Sequence, residues 1–133
     1  MRQGATDGQG IENRVYILMA HGSRSYEANE AVMRLAGRIA DRLGGYPVLP
    51  AFWELAVPTL KEAVQAAVTE NKATQITVLP LFLSDGMHVR RDIPQALNAL
   101  RLQYPEVAIT CLPSLQEDPL LEDLLVRRLE RRE

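Results

Sequence analysis

From Arg14 onward, short apolar runs alternate with longer amphipathic segments along the chain. Four of the apolar runs have the length of a β-strand, at about 14–20, 47–53, 75–82 and 107–112. Strands that alternate with helical segments are typical of β-α units and of a parallel sheet. The pattern therefore predicts an α/β fold, a three-layer sandwich with a four-stranded, mainly parallel sheet.

The first strand, Val15-Tyr16-Ile17-Leu18-Met19-Ala20, is apolar at consecutive positions. A strand with one face in water alternates apolar and polar residues, whereas a strand that helices cover on both faces does not. The first strand is therefore predicted to be central in the sheet.

Two helices are predicted from apolar stripes. Residues 26–43 place their apolar side chains at helical spacing, with Ser25 as a capping residue and Gly44-Gly45 at the end. Pro58 is expected to start a second helix, in which apolar residues again recur every three to four positions.

Two further helices are predicted from their start residues. Asp92 and Pro94 indicate a helix over about 93–103, because Asp is a good N-cap and Pro fits the first turn. Another Asp-Pro pair indicates a helix over about 118–131. Ahead of the first of these two helices, Ser84-Asp85-Gly86 predicts a turn.

The N-terminal residues 1–13 differ from the rest of the chain. They are rich in glycine and polar side chains and show no apolar period, which predicts a disordered tail. Residues 14–133 are predicted to form one domain. A chain of 133 residues with 47% hydrophobic and 24% charged side chains can bury a core of that size.

Charge and hydropathy exclude two classes of partner. A formal net charge of −2 argues against a nucleic-acid binder. No apolar stretch approaches the roughly 20 residues that cross a bilayer, and no basic-then-apolar leader opens the chain.

The single cysteine, Cys111, lies in an apolar run, which predicts a buried thiol and a reducing compartment. The expectation is a cytoplasmic protein without a nucleic-acid or membrane partner.

The two histidines of the chain each follow a predicted strand. His21 is followed by Gly22, which permits close approach of backbone or ligand, and by the hydroxyl of Ser23 and the guanidinium of Arg24. Histidine suits proton transfer near neutral pH and metal ligation. Open α/β folds hold their ligands at the carboxyl edge of the sheet. From spacing alone, a structural role in which His21 caps the sheet stays open.

The second histidine, His88, lies in a comparable segment at a later strand-to-helix junction. Gly86 supplies the turn, and Arg90 and Arg91 can pair with carboxylates or phosphates. Because parallel strands end at the same edge, His21 and His88 are expected to face one crevice. The alternative for the two arginines is a solvated, charged turn.

Glu54 is the third candidate, at the end of the second strand. A carboxylate at the edge of an apolar run usually has a partner. Glu54 could therefore deliver metal or accept a proton, or instead cap a helix or form a salt bridge. Trp53 beside it, and Met19 and Met87 next to the histidines, are interpreted as core residues rather than as a stacking platform or metal contacts.

Three segments together resemble a known family. They are Ala20-His21-Gly22-Ser23-Arg24, then Phe52-Trp53-Glu54-Leu55-Ala56 with Pro58, then Leu79-Pro80-Leu81-Phe82-Leu83 through Gly86, His88 and Asp92-Ile93-Pro94. From about Arg14 to its C-terminus, the chain resembles the CbiX/SirB-type sirohydrochlorin chelatases, and the third segment is the most specific. The resemblance implies one flavodoxin-like half of the chelatase fold.

The resemblance also implies an enzyme, a metal chelatase acting in cobalamin, siroheme or nickel-tetrapyrrole synthesis. It would insert cobalt(II) or iron(II), or nickel in some relatives, into sirohydrochlorin. His21 and His88 match the family's motif histidines, which would bind the metal and take protons from the pyrrole nitrogens, with Glu54 as a further ligand. The divalent metal is then a substrate, and no tightly bound cofactor is expected. The residues expected to contact the carboxylate-rich macrocycle are Ser23, Arg24, Gly86, Arg90 and Arg91.

The chain departs from the family pattern in two ways. Val57 stands where a second acidic residue is common, so its role in metal supply is absent or filled by Glu54. The chain also has about half the length of the two-domain members. Short members of the family pair as homodimers, and a symmetric homodimer with the macrocycle between two copies is therefore expected.

Three other functions compete with the chelatase. A non-catalytic metal or tetrapyrrole carrier would use the same two histidines without turnover. A histidine phosphatase is disfavoured, because that family places an arginine where this chain has Ala20. A flavodoxin-like interaction domain without a small ligand is disfavoured by two glycine-flanked histidines.

Overall fold

The computed structural model describes residues 13–83 and 86–131, with the side chains of Met87, His88 and Glu117 outside that description. The predicted tail lies almost wholly outside the described residues. Asn13, its last residue, donates backbone and side-chain hydrogen bonds to Thr74 and Lys72. The elements are β1 (Arg14–Ala20), α1 (Tyr26–Arg42), β2 (Val48–Phe52), α2 (Leu60–Thr69), β3 (Gln75–Pro80), α3 (Met87–Gln103), β4 (Ala108–Cys111), a 3-10 turn (Leu115–Glu117) and α4 (Pro119–Glu130).

The four strands form one parallel sheet in the order β2-β1-β3-β4, which confirms the predicted α/β fold and the central position of β1. The register pairs Ala20 with Phe52 and Met19 with Pro80. The carboxyl ends of β2, β1 and β3 therefore lie side by side at one edge. The segments that follow these strands carry the candidate site residues.

The sheet is covered unequally on its two faces. Val15, Ile17 and Met19 of β1 point toward α2 and α3 and belong to the main buried cluster, which continues through Ile76 and Val78 of β3. The other face carries α1, which packs against β2 and β1. These three layers confirm the predicted sandwich.

Local capping explains where α1, α2 and α4 begin. Ser25 caps α1 by accepting a hydrogen bond from the Ala28 N–H, and Asp118 caps α4 by accepting one from the Leu120 N–H, as predicted. The predicted start of α2 was wrong by two residues. Its first residue is Leu60 rather than Pro58, and Thr59 caps it through a reciprocal capping box with Glu62.

The predicted start of α3 was also wrong. The helix begins at Met87, six residues before the expected position, with Gly86 as its N-cap. Asp92 and Pro94 therefore lie inside the helix and neither caps nor starts it. His88 lies in the first helical turn rather than in a loop. The turn predicted at Ser84-Asp85-Gly86 falls mostly on residues outside the described part.

Cys111 corrects a further expectation. Its side chain is half-buried at the end of β4 rather than fully buried, and its Sγ lies 3.5 Å from the Leu112 carbonyl oxygen. Trp53 and Met19 are packed in or against the core as predicted. Within the described ranges, no helix is long and apolar enough to cross a membrane.

Candidate functional site

The ends of β1 and β2 form the floor of the candidate site. Parallel pairing continues past both strands, because the Trp53 N–H donates to the Ala20 carbonyl (2.9 Å) and the Glu54 N–H donates to the His21 carbonyl (3.0 Å). His21 and Glu54 are thus fixed next to each other by backbone hydrogen bonds. The sheet register alone places their side chains at the same edge.

The His21 and Glu54 side chains meet directly. His21 Nε2 lies 3.0 Å from Glu54 Oε2, and the two side chains are 55% and 53% exposed. The other contact of the imidazole is with the buried Phe82, whose ring centroid lies 5.7 Å away at an interplanar angle of 62°. The pair is therefore held on one side by an aromatic ring and is open to solvent on the other.

Gly22 is required by this arrangement. Its φ is +102°, and a methyl group at its Cα would lie 1.7 Å from the Glu54 carbonyl oxygen. The close approach that the sequence predicted is thus made by the backbone of the neighbouring strand end. An alanine at this position would collide with the residue that carries the carboxylate of the site.

The loop after Gly22 is held by Asn29, a residue that the sequence did not single out. Asn29 Oδ1 accepts from the Ser23 N–H (3.0 Å) and Asn29 Nδ2 donates to the Ser23 carbonyl (2.7 Å). The Ser23 hydroxyl accepts from the Ser25 N–H (2.9 Å), so Ser23 is tied into the start of α1. The clue that the sequence offered was an asparagine near the start of the predicted first helix.

Replacing Asn29 with alanine is expected to lower the free energy of unfolding by about 1–2 kcal/mol, because both backbone groups of Ser23 lose their partner. Asn29→Asp keeps the acceptor but loses the donor, so we expect an intermediate loss. Urea unfolding of the three proteins tests this order. Equal midpoints and slopes for all three would contradict the role assigned to Asn29.

The third strand end brings α3 to the same edge. The Leu81 N–H donates to the Met19 carbonyl (2.7 Å), and Gly86 caps α3 a few residues later. His88 follows in the first turn, where unpaired backbone N–H groups favour anionic ligands. Its side chain lies outside the described part, so the predicted convergence of His21 and His88 stays a prediction.

The three candidate arginines are exposed. Arg24 lies in the loop after β1, and Arg91 Nε is 3.6 Å from Asp92 Oδ1. Arg90 borders a cavity of about 380 Å³ between α3 and the end of β4. Across this cavity, Arg101 donates to the Ile109 carbonyl through Nε (3.0 Å) and Nη2 (2.9 Å), so its guanidinium is engaged in the fold.

Three exposed apolar side chains follow the same strand ends that carry the candidate site. Leu55, Val57 and Leu83 follow the ends of β2 and β3 and are 53%, 65% and 65% exposed. Leu55 also has a φ of 69°, which is costly for a residue other than glycine. We call these three residues the apolar rim. Val57, noted above as a departure from the family pattern, belongs to it.

A model of the CbiX family matches residues 15–132. The chain belongs to the CbiX family. It is 30% identical over 121 residues to the sirohydrochlorin cobaltochelatase of Methanosarcina acetivorans, covering 86% of this chain and 92% of the relative. The resemblance predicted from the three sequence segments is therefore confirmed.

Two solved structures show the same fold as this CbiX-family chain. One is named as a cobalamin (vitamin B12) biosynthesis CbiX protein from Marinobacter aquaeolei VT8, with a TM-score of 0.73, 31% identity, and coverage of 90% of this chain and 99% of that chain. The other is SirB from Bacillus subtilis with Fe3+, with a TM-score of 0.77, 25% identity, and coverage of 87% and 46%. The chain therefore spans a whole short relative and about half of SirB.

The donor set at the site is small. Among the side chains that the structure describes, which do not include His88, no group of three or more His, Cys, Asp or Glu is placed to hold a metal ion. His21 and Glu54 offer one imidazole nitrogen and one carboxylate. Such a pair leaves coordination positions open, unlike the closed four-ligand sites that bind structural metals.

Proposed function

We propose that this CbiX-family chain is a sirohydrochlorin chelatase that inserts cobalt(II) or iron(II) into the macrocycle. The contact between His21 and Glu54 carries the proposal, because it sets an open pair of metal-binding groups at the carboxyl edge of the sheet. The names of the relatives support the substrate, since the M. acetivorans relative is a sirohydrochlorin cobaltochelatase and SirB is described with Fe3+.

The spacing of the pair suits a transient metal. Ligand atoms about 2.0–2.2 Å from one first-row metal, at angles between a right angle and the tetrahedral angle, lie about 2.8–3.6 Å apart. His21 Nε2 and Glu54 Oε2 are 3.0 Å apart. An incoming divalent ion can therefore replace the hydrogen bond between the two groups, whose proton passes to solvent, with little movement of either side chain. His88 is proposed as the third ligand.

Release of the metal is as important as its capture. Insertion forms metal bonds to the ring nitrogens and releases two pyrrole protons for each divalent ion. As the ring nitrogens displace the protein ligands, His21 and Glu54 regain free lone pairs that can accept these protons. Imidazole and carboxylate groups are suited to such proton transfer in neutral solution.

The surface around the pair suits a flat, acidic macrocycle. The apolar rim offers contact to the ring face, whereas Arg24, Arg90 and Arg91 offer charge to its carboxylates. The Ser23 loop and the N-terminus of α3 at Gly86 are proposed as further carboxylate contacts, because helix N-termini favour anions. The macrocycle would then lie with its ring over His21 and its carboxylates toward the arginines.

We further propose that the protein is a homodimer in the cytoplasm. The chain matches 99% of one short relative but 46% of SirB. Two copies related by a two-fold axis would supply both walls of a cleft that a longer chain builds from its own length. A reducing compartment agrees with the single cysteine of the sequence.

A turnover assay tests the function. Purified protein is incubated anaerobically with sirohydrochlorin in large excess and with cobalt(II) or iron(II), and the absorption change of the pigment is followed against a protein-free blank. Many turnovers per chain are expected. Binding of one pigment per site without further conversion would instead identify a carrier and would contradict the chelatase.

Glu54→Gln is expected to raise the KM for the metal about 10- to 100-fold, since the side chain keeps its size but loses the charge that attracts the cation. The KM for sirohydrochlorin should stay unchanged. Glu30→Gln is the matched control, because Glu30 is an acidic residue paired with Arg34 on α1. A Glu54→Gln enzyme with an unaltered metal KM would remove Glu54 from the metal site.

A further inference from the structure

The last helix of the chain exposes its apolar side. Leu120, Leu121, Leu124, Leu125 and Leu129 recur at helical spacing on one side of α4, and all but Leu121 are at least half exposed. Leu129 is 84% exposed. Amphipathic helices in folded proteins bury this kind of stripe. Within the described part of the chain, α4 has no buried residue, and the element that it contacts most is the adjacent 3-10 turn.

One face of the sheet is only partly covered, because α1 is the single described helix that packs on it. The residues of β3 alternate between buried and half-exposed, and Gln75, Thr77 and Leu79 are the half-exposed set. On this face a largely aliphatic groove of about 110 Å³ is lined by residues that include Tyr16, Leu18, Ile39, Leu43, Leu79 and Leu112. The helix α1 borders the groove at Ile39 and Leu43 but covers only the side near β2.

The chain topology explains the missing cover. Right-handed crossovers place α1 on one face and both α2 and α3 on the other, because the chain reverses direction across the sheet after β2. The two helices α2 and α3 thus cover one face, whereas α1 alone cannot cover the other. Of the described helices, α4 is the one left to complete that layer.

Local hydrogen bonds fix the segment from which α4 leaves the sheet. The Leu115 N–H donates to the Phe82 carbonyl (3.0 Å), which fixes the 3-10 turn beside β3. Asp118 then caps α4, and the Leu121 N–H donates to the Asp118 carbonyl (3.0 Å). The connection from Cys111 to Pro119 is short and contains Pro113. In the chain as described, α4 packs mainly against the 3-10 turn, and its own groove stays open.

We infer that α4 of a second copy occupies the groove, so that two chains exchange their last helices. The inference rests on the homodimer proposed above and specifies how the two copies hold together. A leucine stripe of three turns matches an aliphatic groove, and reciprocal exchange satisfies both surfaces at once in a two-fold dimer. Residues 1–12 are a poor occupant, because Met1, Ala5 and Ile11 are their only apolar side chains.

Each exchanged helix would also lie close to the proposed site of its own chain. The 3-10 turn before α4 is bonded to Phe82, and the Phe82 ring contacts His21. The exchange would therefore fix the partner next to the strand ends, where the second wall of the cleft is needed.

Disulfide trapping between differently labelled chains tests the exchange. In a Cys111→Ser background, Leu79→Cys is placed in one chain, and Leu124→Cys or Leu125→Cys in another. The two proteins are unfolded together, refolded and oxidised. We expect a covalent heterodimer of about twice 14.9 kDa for at least one pair. Leu102→Cys, on an exposed part of α3, is the matched control and should give no heterodimer.

A single chain with both cysteines distinguishes the alternative. If α4 returns to its own groove, this chain forms an internal disulfide at high dilution and the mixed chains form none. That result would overturn the exchange. A dimer by light scattering without any heterodimer link would overturn it as well, but would leave the homodimer and the turnover assay unaffected.

A charge in the stripe supplies an independent measurement. Leu124→Asp/Leu125→Asp should halve the mass measured by light scattering from about two chains to one, with helical content by circular dichroism retained. Leu102→Asp should stay dimeric. A doubly substituted protein that remains a dimer would overturn the inference.

Discussion

His21→Ala is expected to lower the rate of metal insertion by about 10²–10⁴-fold, the range typical for loss of a positioned acid-base group. The substitution removes the Nε2 atom that lies 3.0 Å from Glu54 Oε2. It therefore takes away both a metal ligand and a proton acceptor. The fold should persist, because the His21 side chain is 55% exposed and its backbone hydrogen bond with Glu54 is retained.

The measurement is the initial rate of the pigment absorption change at saturating sirohydrochlorin, with a thermal unfolding curve of the same sample. Arg38→Ala on the exposed side of α1 serves as the control and should keep the wild-type rate. His88→Ala should fall in the same range as His21→Ala if both histidines serve one metal. A His21→Ala enzyme within twofold of wild type would exclude His21 from the chemistry.

The parts of the fold that could be predicted are those that a short stretch of sequence specifies by its apolar pattern or by a capping side chain. The consecutive apolar residues of β1 predict a central strand because burial on both faces tolerates no polar position. Ser25 and Asp118 carry side chains that satisfy the free N–H groups of a helix start. The two helix starts form as expected because each cap and the N–H group that it accepts from lie within four residues of each other.

The start of α3 shows where local reasoning fails. Gly86 is the N-cap of this helix but has no side chain that could accept a hydrogen bond. The sequence therefore shows no Ser, Thr, Asp or Asn at the position that would mark the start. Asp92 and Pro94 resemble a start and lie inside the helix instead. Packing overrides local preference here, since Val89, Ile93 and Leu97 are buried in the core cluster and extend the apolar stripe back toward Met87.

The contacts of the site also divide into those that the sequence pattern predicts and those that depend on tertiary packing. The position of Glu54 beside His21 follows from parallel strands that end at one edge, which the sequence pattern predicts. The contacts made by Asn29 and Phe82 depend on how α1 and β3 pack around the loop, and no periodicity specifies them. The need for glycine at position 22 also depends on tertiary packing, because the atom that excludes a side chain there is the carbonyl oxygen of Glu54, just after β2.

Gly22→Ala is expected to combine a large loss of stability with a loss of activity. A residue other than glycine at a left-handed φ costs about 1–2 kcal/mol, and Gly22 has a φ of +102°. The added methyl group would lie 1.7 Å from the Glu54 carbonyl oxygen, so the two strand ends must separate. Loss of the hydrogen bond from the Glu54 N–H to the His21 carbonyl adds about 0.5–1.5 kcal/mol.

The total is roughly 1.5–3.5 kcal/mol, which lowers the Tm by about 10 °C. Gly37→Ala is the matched control with the opposite sign. Gly37 lies inside α1 with open space around a Cβ, so alanine should stabilise the protein by about 0.5–1 kcal/mol. Calorimetry measures the change in stability of both variants, and the insertion rate is measured well below the lower Tm.

Separation of the strand ends moves Glu54 away from His21, so Gly22→Ala should also lose metal insertion while still folded. A folded Gly22→Ala protein with wild-type turnover would show that the contact between His21 and Glu54 is not needed for the reaction.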